Sequence, residues 1–133
     1  MKRTGRAGFA YGRVQGLSMF PALLPGDLVR AVRRSGNSLA PGQVVVLEED
    51  LGPFLHRFVR YARPRGLGAL LLTAGDGSGP DDPRPVPERV LVAVEVLRRG
   101  RWRRIPPRWW PPAQVVPPLL LGPASRLLGW LFR

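Results

Sequence analysis

The sequence predicts a mainly β protein, and three observations carry that reading. Between residue 13 and about residue 100, apolar runs of strand length recur between turn signals. Glycine and proline are abundant, 16 of each in 133 residues, which disfavours a helical bundle and suits short strands joined by turns. Nothing in this region carries an i, i+3, i+4 apolar stripe long enough for a helix.

The predicted strands cover residues 28–32, 44–47, 54–61, 67–73 and 90–97. They are separated by Pro25-Gly26-Asp27, Ser35-Gly36-Asn37, Pro41-Gly42, Gly52-Pro53 and the long segment 75–87. In the third run, alternation puts Phe54, His56 and Phe58 on one face. Leu55, Arg57, Val59 and Tyr61 fall on the other. Three regions follow: a flexible basic N-terminus at 1–12, a β domain at 13–99, and an Arg/Trp/Pro-rich extension at 100–133.

Charge narrows the partners. Lys and Arg number 21 against 9 Asp and Glu, a formal net charge of +12, and all the cations but Lys2 are arginine. Such a balance points to a polyanionic partner, an acidic membrane surface or nucleic acid. No acidic residue follows Glu95, and Trp102, Trp109 and Trp110 interleave with Arg98, Arg99, Arg101, Arg103, Arg104 and Arg108. Residues 127–132 could add a turn or two of amphipathic helix. Arginine with interfacial tryptophan suits peripheral contact with an anionic membrane, with nucleic acid the lesser alternative and a solvated Pro-rich extension the plain one.

Other classes are excluded. There is no cysteine, so a disulfide framework, thiol catalysis and a cysteine zinc site all fall away. His56 is the sole histidine, so a His-based metal cluster falls too, and no cofactor is expected. The basic N-terminus leads into no apolar core, and residues 115–132 are broken by Pro117, Pro118, Pro123 and Arg126. Neither a signal peptide nor a transmembrane helix is expected, which suggests a protein kept in the cytoplasm, peripheral to the membrane at most.

One constellation could carry chemistry. Ser18 lies in Gly16-Leu17-Ser18-Met19-Phe20-Pro21, ahead of Leu24-Pro25-Gly26-Asp27. A serine beside glycine and before a proline-limited turn can expose its hydroxyl next to free backbone N–H groups, which a nucleophile with an oxyanion hole needs. On physics alone it is a turn residue, His56 is a hydrogen-bonded strand histidine, and Asp76, Asp81 and Asp82 form a solvated turn or a weak cation site.

The order of the pieces adds to this. Ser18-Met19-x-Pro21, Pro25-Gly26-Asp27, Pro41-Gly42 before three valines, His56-Arg57-x-Val59, Thr73-x-Gly75-Asp76 and then Asp81-Asp82 together resemble the signal peptidase family of serine proteases. The likeness covers roughly residues 13–97 and is greatest to the branch that uses Ser, His and Asp. It implies compact, coiled antiparallel β-sheets and an endopeptidase that cleaves a leader or pro-segment. By this resemblance Ser18 is the nucleophile, with its own backbone N–H in the oxyanion hole, His56 the general base, Asp82 the orienting acid and Asp76 a loop-shaping residue. The implied partner is a protein or peptide bound as an extended strand, with small residues before the cut. The chain departs from the family at Gly16, Gln43, Ala74 and Gly77-Ser78, and it lacks the usual N-terminal membrane helix.

Overall fold

A computed structural model describes residues 8–107, together with the backbone of residues 2–3. The strands are β1 (Lys2–Arg3), β2 (Ala10–Arg13), β3 (Leu28–Ser35), β4 (Val44–Glu49), β5 (Gly52–Ala62), β6 (Leu70–Gly75), β7 (Gly79–Pro80), β8 (Arg84–Pro85), β9 (Arg89–Arg98) and β10 (Arg101–Arg104). They form one antiparallel sheet in the order β1-β2-β3-β9-β4-β5-β6-β7, with β10 on β9 and β8 on β6. All five predicted strands are present. Among the described residues, no helix is long and apolar enough to cross a membrane.

Alternation within β4 shows how the core is built. Val44 and Val46 join Leu55, Val29, Ala31, Ala93 and Val96 on one side of the sheet. Val45 and Leu47 join Phe58, Leu71, Val90 and Val92 on the other. A strand covered on both faces reads as an unbroken apolar run, which is what 44–47 is. The first side is closed by the connection between β2 and β3, whose Met19 and Leu23 are completely buried.

Several expectations are corrected. Gly52-Pro53 does not interrupt the third run but belongs to β5, where Pro53 faces Glu48 in the hairpin with β4. The ladder to β6 begins only at Arg57, so the missing N–H of Pro53 breaks no bond on that side. Further along, the pairing of β5 with β6 shifts register between Phe58 and Arg60. The extra residue, Val59, turns Tyr61 onto the face of Phe58, their ring centroids 4.7 Å apart. Tyr61 is therefore not on the Leu55 face that strict alternation assigns it.

The boundaries of 13 and 99 are also too narrow. β2 pairs with β3, and β1 with β2, so part of the expected flexible terminus at 1–12 is in the sheet. At the other end β10 pairs with β9, Ile105 packs on the core and its N–H donates to the Val94 carbonyl at 3.0 Å. The Arg30 guanidinium lies 4.7 Å from the Phe9 ring centroid and 4.4 Å from that of Trp102, and it pairs with Glu95 at 2.6 Å. Trp102 is thus a cation–π partner within the sheet. Residues 108–133, with Trp109, Trp110 and the apolar 127–132, lie outside the described residues.

Candidate active site

Ser18 is held by a loop fixed at both ends. Val14 N–H donates to the Asp27 carbonyl and Gly26 N–H to the Val14 carbonyl, both at 2.8 Å. Arg98, at the end of β9, donates through Nη2 to the Ala22 carbonyl at 2.8 Å and to Asp27 Oδ2 at 2.7 Å. Asp27 Oδ2 also accepts from Leu24 N–H at 2.8 Å. Burial alone raises the Asp27 pKa, but the hydrogen bonds from Arg98 and Leu24 and the Arg98 charge outweigh it. They hold the carboxyl below its ordinary value of 3.8. Met19 and Leu23 point into the core, while Leu17, Phe20 and Leu24 are exposed, leaving Ser18 half-buried between them.

β5 supplies His56, buried against Phe54 in an edge-on ring contact with centroids 4.8 Å apart. His56 Nδ1 meets Asp81 Oδ2 at 2.5 Å, and both side chains are 7% exposed. The same oxygen accepts from Thr73 Oγ1 at 2.8 Å. Asp81 reaches this place because β6 and β7 form a hairpin in which Ala74 faces Pro80 and Gly75 faces Gly79. One residue further on, Asp81 N–H donates to the Thr73 carbonyl at 2.9 Å. Thr73 itself faces Phe58 across β5, so His56, Phe58, Thr73 and Asp81 share one face of the sheet.

The expectation for Asp82 is therefore corrected. It is exposed, and the residue that contacts His56 is Asp81. Successive side chains of an extended segment point to opposite sides, so only one of two adjacent aspartates can face the ring.

Asp76 lies against Arg57. Arg57 Nε donates to its Oδ1 at 2.9 Å and its Oδ2 at 3.1 Å, while Arg57 Nη1 donates to the Gly42 carbonyl at 2.8 Å. The pair is buried, at 5% exposure for Arg57 and 1% for Asp76. It ties the turn at 75–78 to β5 and to the start of β4. Asp76 is thus paired with Arg57 and Asp81 with His56. No group of three or more His, Asp or Glu side chains able to hold a metal occurs among the described residues.

The turn at 75–78 brings Ser18 and His56 together. Gly77 N–H donates to the Ser18 carbonyl at 2.8 Å. Gly75 is required by close approach. A Cβ there would lie 2.7 Å from the Ser18 carbonyl oxygen and 2.9 Å from His56 Nε2, and would collide with Ser78 Oγ. His56 thus presents Nδ1 to a carboxylate and Nε2 towards the Ser18 segment. A hydrogen bond between Ser18 Oγ and Nε2 is not made in this state, and such contacts commonly tighten only when substrate binds. The Ser18 N–H has no acceptor among the described residues, so it is available as a donor.

Sequence reasoning missed the work of Thr73, Arg57, Ser78 and Arg98. A signal existed for two of them. Thr73 is the one polar residue in Leu70-Leu71-Leu72-Thr73-Ala74, and alternation sets Arg57 between Leu55 and Val59; a buried polar group requires a partner.

No protein-family model matches the chain, and no curated protein or solved structure matches it significantly.

Proposed function

We propose that this protein is a serine endopeptidase of the signal peptidase type, cleaving a leader or pro-segment through an acyl-enzyme. The single observation that carries the reading is the buried contact of His56 Nδ1 with Asp81 Oδ2 at 2.5 Å, with Nε2 turned towards the Ser18 segment. A carboxylate on Nδ1 fixes the tautomer whose Nε2 lone pair can accept a proton, and it stabilises the imidazolium once formed.

The steps follow from these positions. Ser18 Oγ attacks a peptide carbonyl as its proton passes to His56 Nε2. The Ser18 N–H donates to the oxyanion; losing one such donor typically costs about 10²–10³ in rate. His56 then protonates the leaving amine; water, giving its proton to the same nitrogen, attacks the acyl carbonyl, and His56 returns that proton to Ser18 Oγ as the acid departs. The orienting acid in this scheme is Asp81. Leu17, Phe20 and Leu24 offer an apolar rim beside the nucleophile for an extended segment.

The test is covalent labelling of the full chain with a fluorophosphonate, the adduct located by tandem mass spectrometry. Labelling at Ser18, abolished in Ser18→Ala and strongly reduced in His56→Ala, supports the proposal. Wild-type protein unlabelled at Ser18 refutes it. A second reading, a non-catalytic basic module on an anionic surface, is favoured by the net charge of +12. Absent labelling together with binding to anionic vesicles would establish that reading instead.

A further inference from the structure

Ser78 is buried, at 2% exposure, and its hydroxyl makes no hydrogen bond; among the described residues only Arg84 Nε shares that condition. Native structures rarely leave a buried hydroxyl unpaired, so each case calls for an explanation. This hydroxyl stands beside the candidate base. Ser78 Oγ crowds the point where a Gly75 Cβ would be, and His56 Nε2 is 2.9 Å from that same point. Because residue 75 has no side chain, both groups can border that point. Ser78 is also fixed in the turn at 75–78, its N–H directed at the Gly75 carbonyl at 3.4 Å while Gly77 N–H holds the Ser18 carbonyl.

We propose that the Ser78 hydroxyl is a positioning group for His56, accepting the Nε2–H of the imidazolium that forms when Ser18 gives up its proton. The proposal rests on the endopeptidase reading only for the moment at which that imidazolium arises. The proton moves from Ser18 Oγ to Nε2 and later to the leaving amine, and Ser78 keeps its own proton throughout. In the neutral tautomer that Asp81 selects, Nε2 offers only a lone pair, to which the Ser78 hydroxyl could donate no more than a neutral hydrogen bond, and none is made. On protonation Ser78 Oγ gains a charge-assisted partner, a stronger bond than a neutral one. The contact thus favours the ring in its charged form, between the two proton transfers, where an interaction accelerates the chemistry. In the charged state Asp81 would hold one ring nitrogen and Ser78 the other, which fixes the orientation of the ring.

His56 is the sole histidine, so its ring protons are assigned without ambiguity in the NMR spectrum of the full chain. Ser18→Ala removes the rival acceptor, and the sample is acidified until the ring is protonated. The expected result is two slowly exchanging ring N–H resonances. The Nε2–H signal is lost to solvent exchange when Ser78→Ala is added, and the Nδ1–H signal persists. Equal protection of Nε2–H in both proteins overturns the proposal. In the otherwise native chain, Ser78→Ala should slow fluorophosphonate labelling of Ser18 about tenfold, less than the loss of an oxyanion donor. Its melting temperature should be unchanged, and Ser78→Thr should restore the rate. An unchanged labelling rate in Ser78→Ala also overturns it. If the NMR result holds while wild-type protein is not labelled at all, the endopeptidase reading fails and the Ser78–His56 hydrogen bond stands.

Discussion

Replacing Asp76 with Asn would leave the Arg57 guanidinium buried and without its carboxylate. The two side chains are 5% and 1% exposed, and both Asp76 oxygens lie within 3.1 Å of Arg57 Nε. Removing one partner of a buried ion pair costs about 3–5 kcal/mol. Asn keeps one acceptor oxygen, and the Gly42 carbonyl still receives Nη1, so the loss should fall near the lower end, about 3 kcal/mol. At roughly 4–8 °C per kcal/mol for a domain of this size, the melting temperature should drop by about 12 °C or more. Urea unfolding followed by tryptophan fluorescence reads the change. Arg57→Met combined with Asp76→Leu removes both charges and should recover much of the loss, since the pair's cost lies in stranding one ion. A decrease below about 1 kcal/mol for Asp76→Asn, the level of an exposed ion pair, would refute the reasoning.

The adjacent aspartates separate cleanly. Asp81→Asn should slow fluorophosphonate labelling of Ser18 by orders of magnitude, about 10⁴ where an orienting Asp has been replaced in other triads, and Asp82→Asn should leave it unchanged; the reverse pattern would return the role to Asp82. Asp27 makes stability depend on pH. Its folded pKa is lowered, so its contribution is full above the unfolded value of 3.8 and is lost as pH falls through the folded value. The stability gap between wild type and Asp27→Asn should accordingly be larger at pH 7 than at pH 3, and a gap constant in urea titrations at both would show the carboxylate is not held as described. Truncation after Pro107 should preserve the fold and abolish sedimentation with anionic vesicles, each lost arginine being worth about 1 kcal/mol at such a surface. Truncation after Gly100 should destabilise the fold itself, because it removes β10, Trp102 and Ile105. Equal sedimentation of full-length protein and the Pro107 truncation would rule out the membrane role of 108–133.

Much of the architecture was legible in the chain. The runs 28–32, 44–47, 54–61, 67–73 and 90–97 each overlap a strand, because period-two alternation or an unbroken apolar run is set by local burial. The turn chemistry of Pro25-Gly26-Asp27 likewise marked a loop end, with Asp27 accepting from Leu24 N–H. Ser18 and His56 stood out only through the order of motifs that resembles the signal peptidase family; their neighbours alone read as a turn serine and a strand histidine. β2 and β10 could not be read, being four residues each, and Arg101–Arg104 looks like a charge run until β9 pairs with it.

What the tertiary structure decided has one physical source, the register between segments distant in sequence. Asp81 rather than Asp82 faces His56 because Gly75 opposes Gly79 in the β6–β7 hairpin, and a slip of one residue would exchange them. Val59 turns Tyr61 to the Phe58 face by the same rule. Arg57 finds Asp76, and Ser78 comes beside His56, across ladders whose pairing no local pattern specifies. Composition and alternation determine that these residues lie on strands and turns; which side chain meets which is settled only when the strands align.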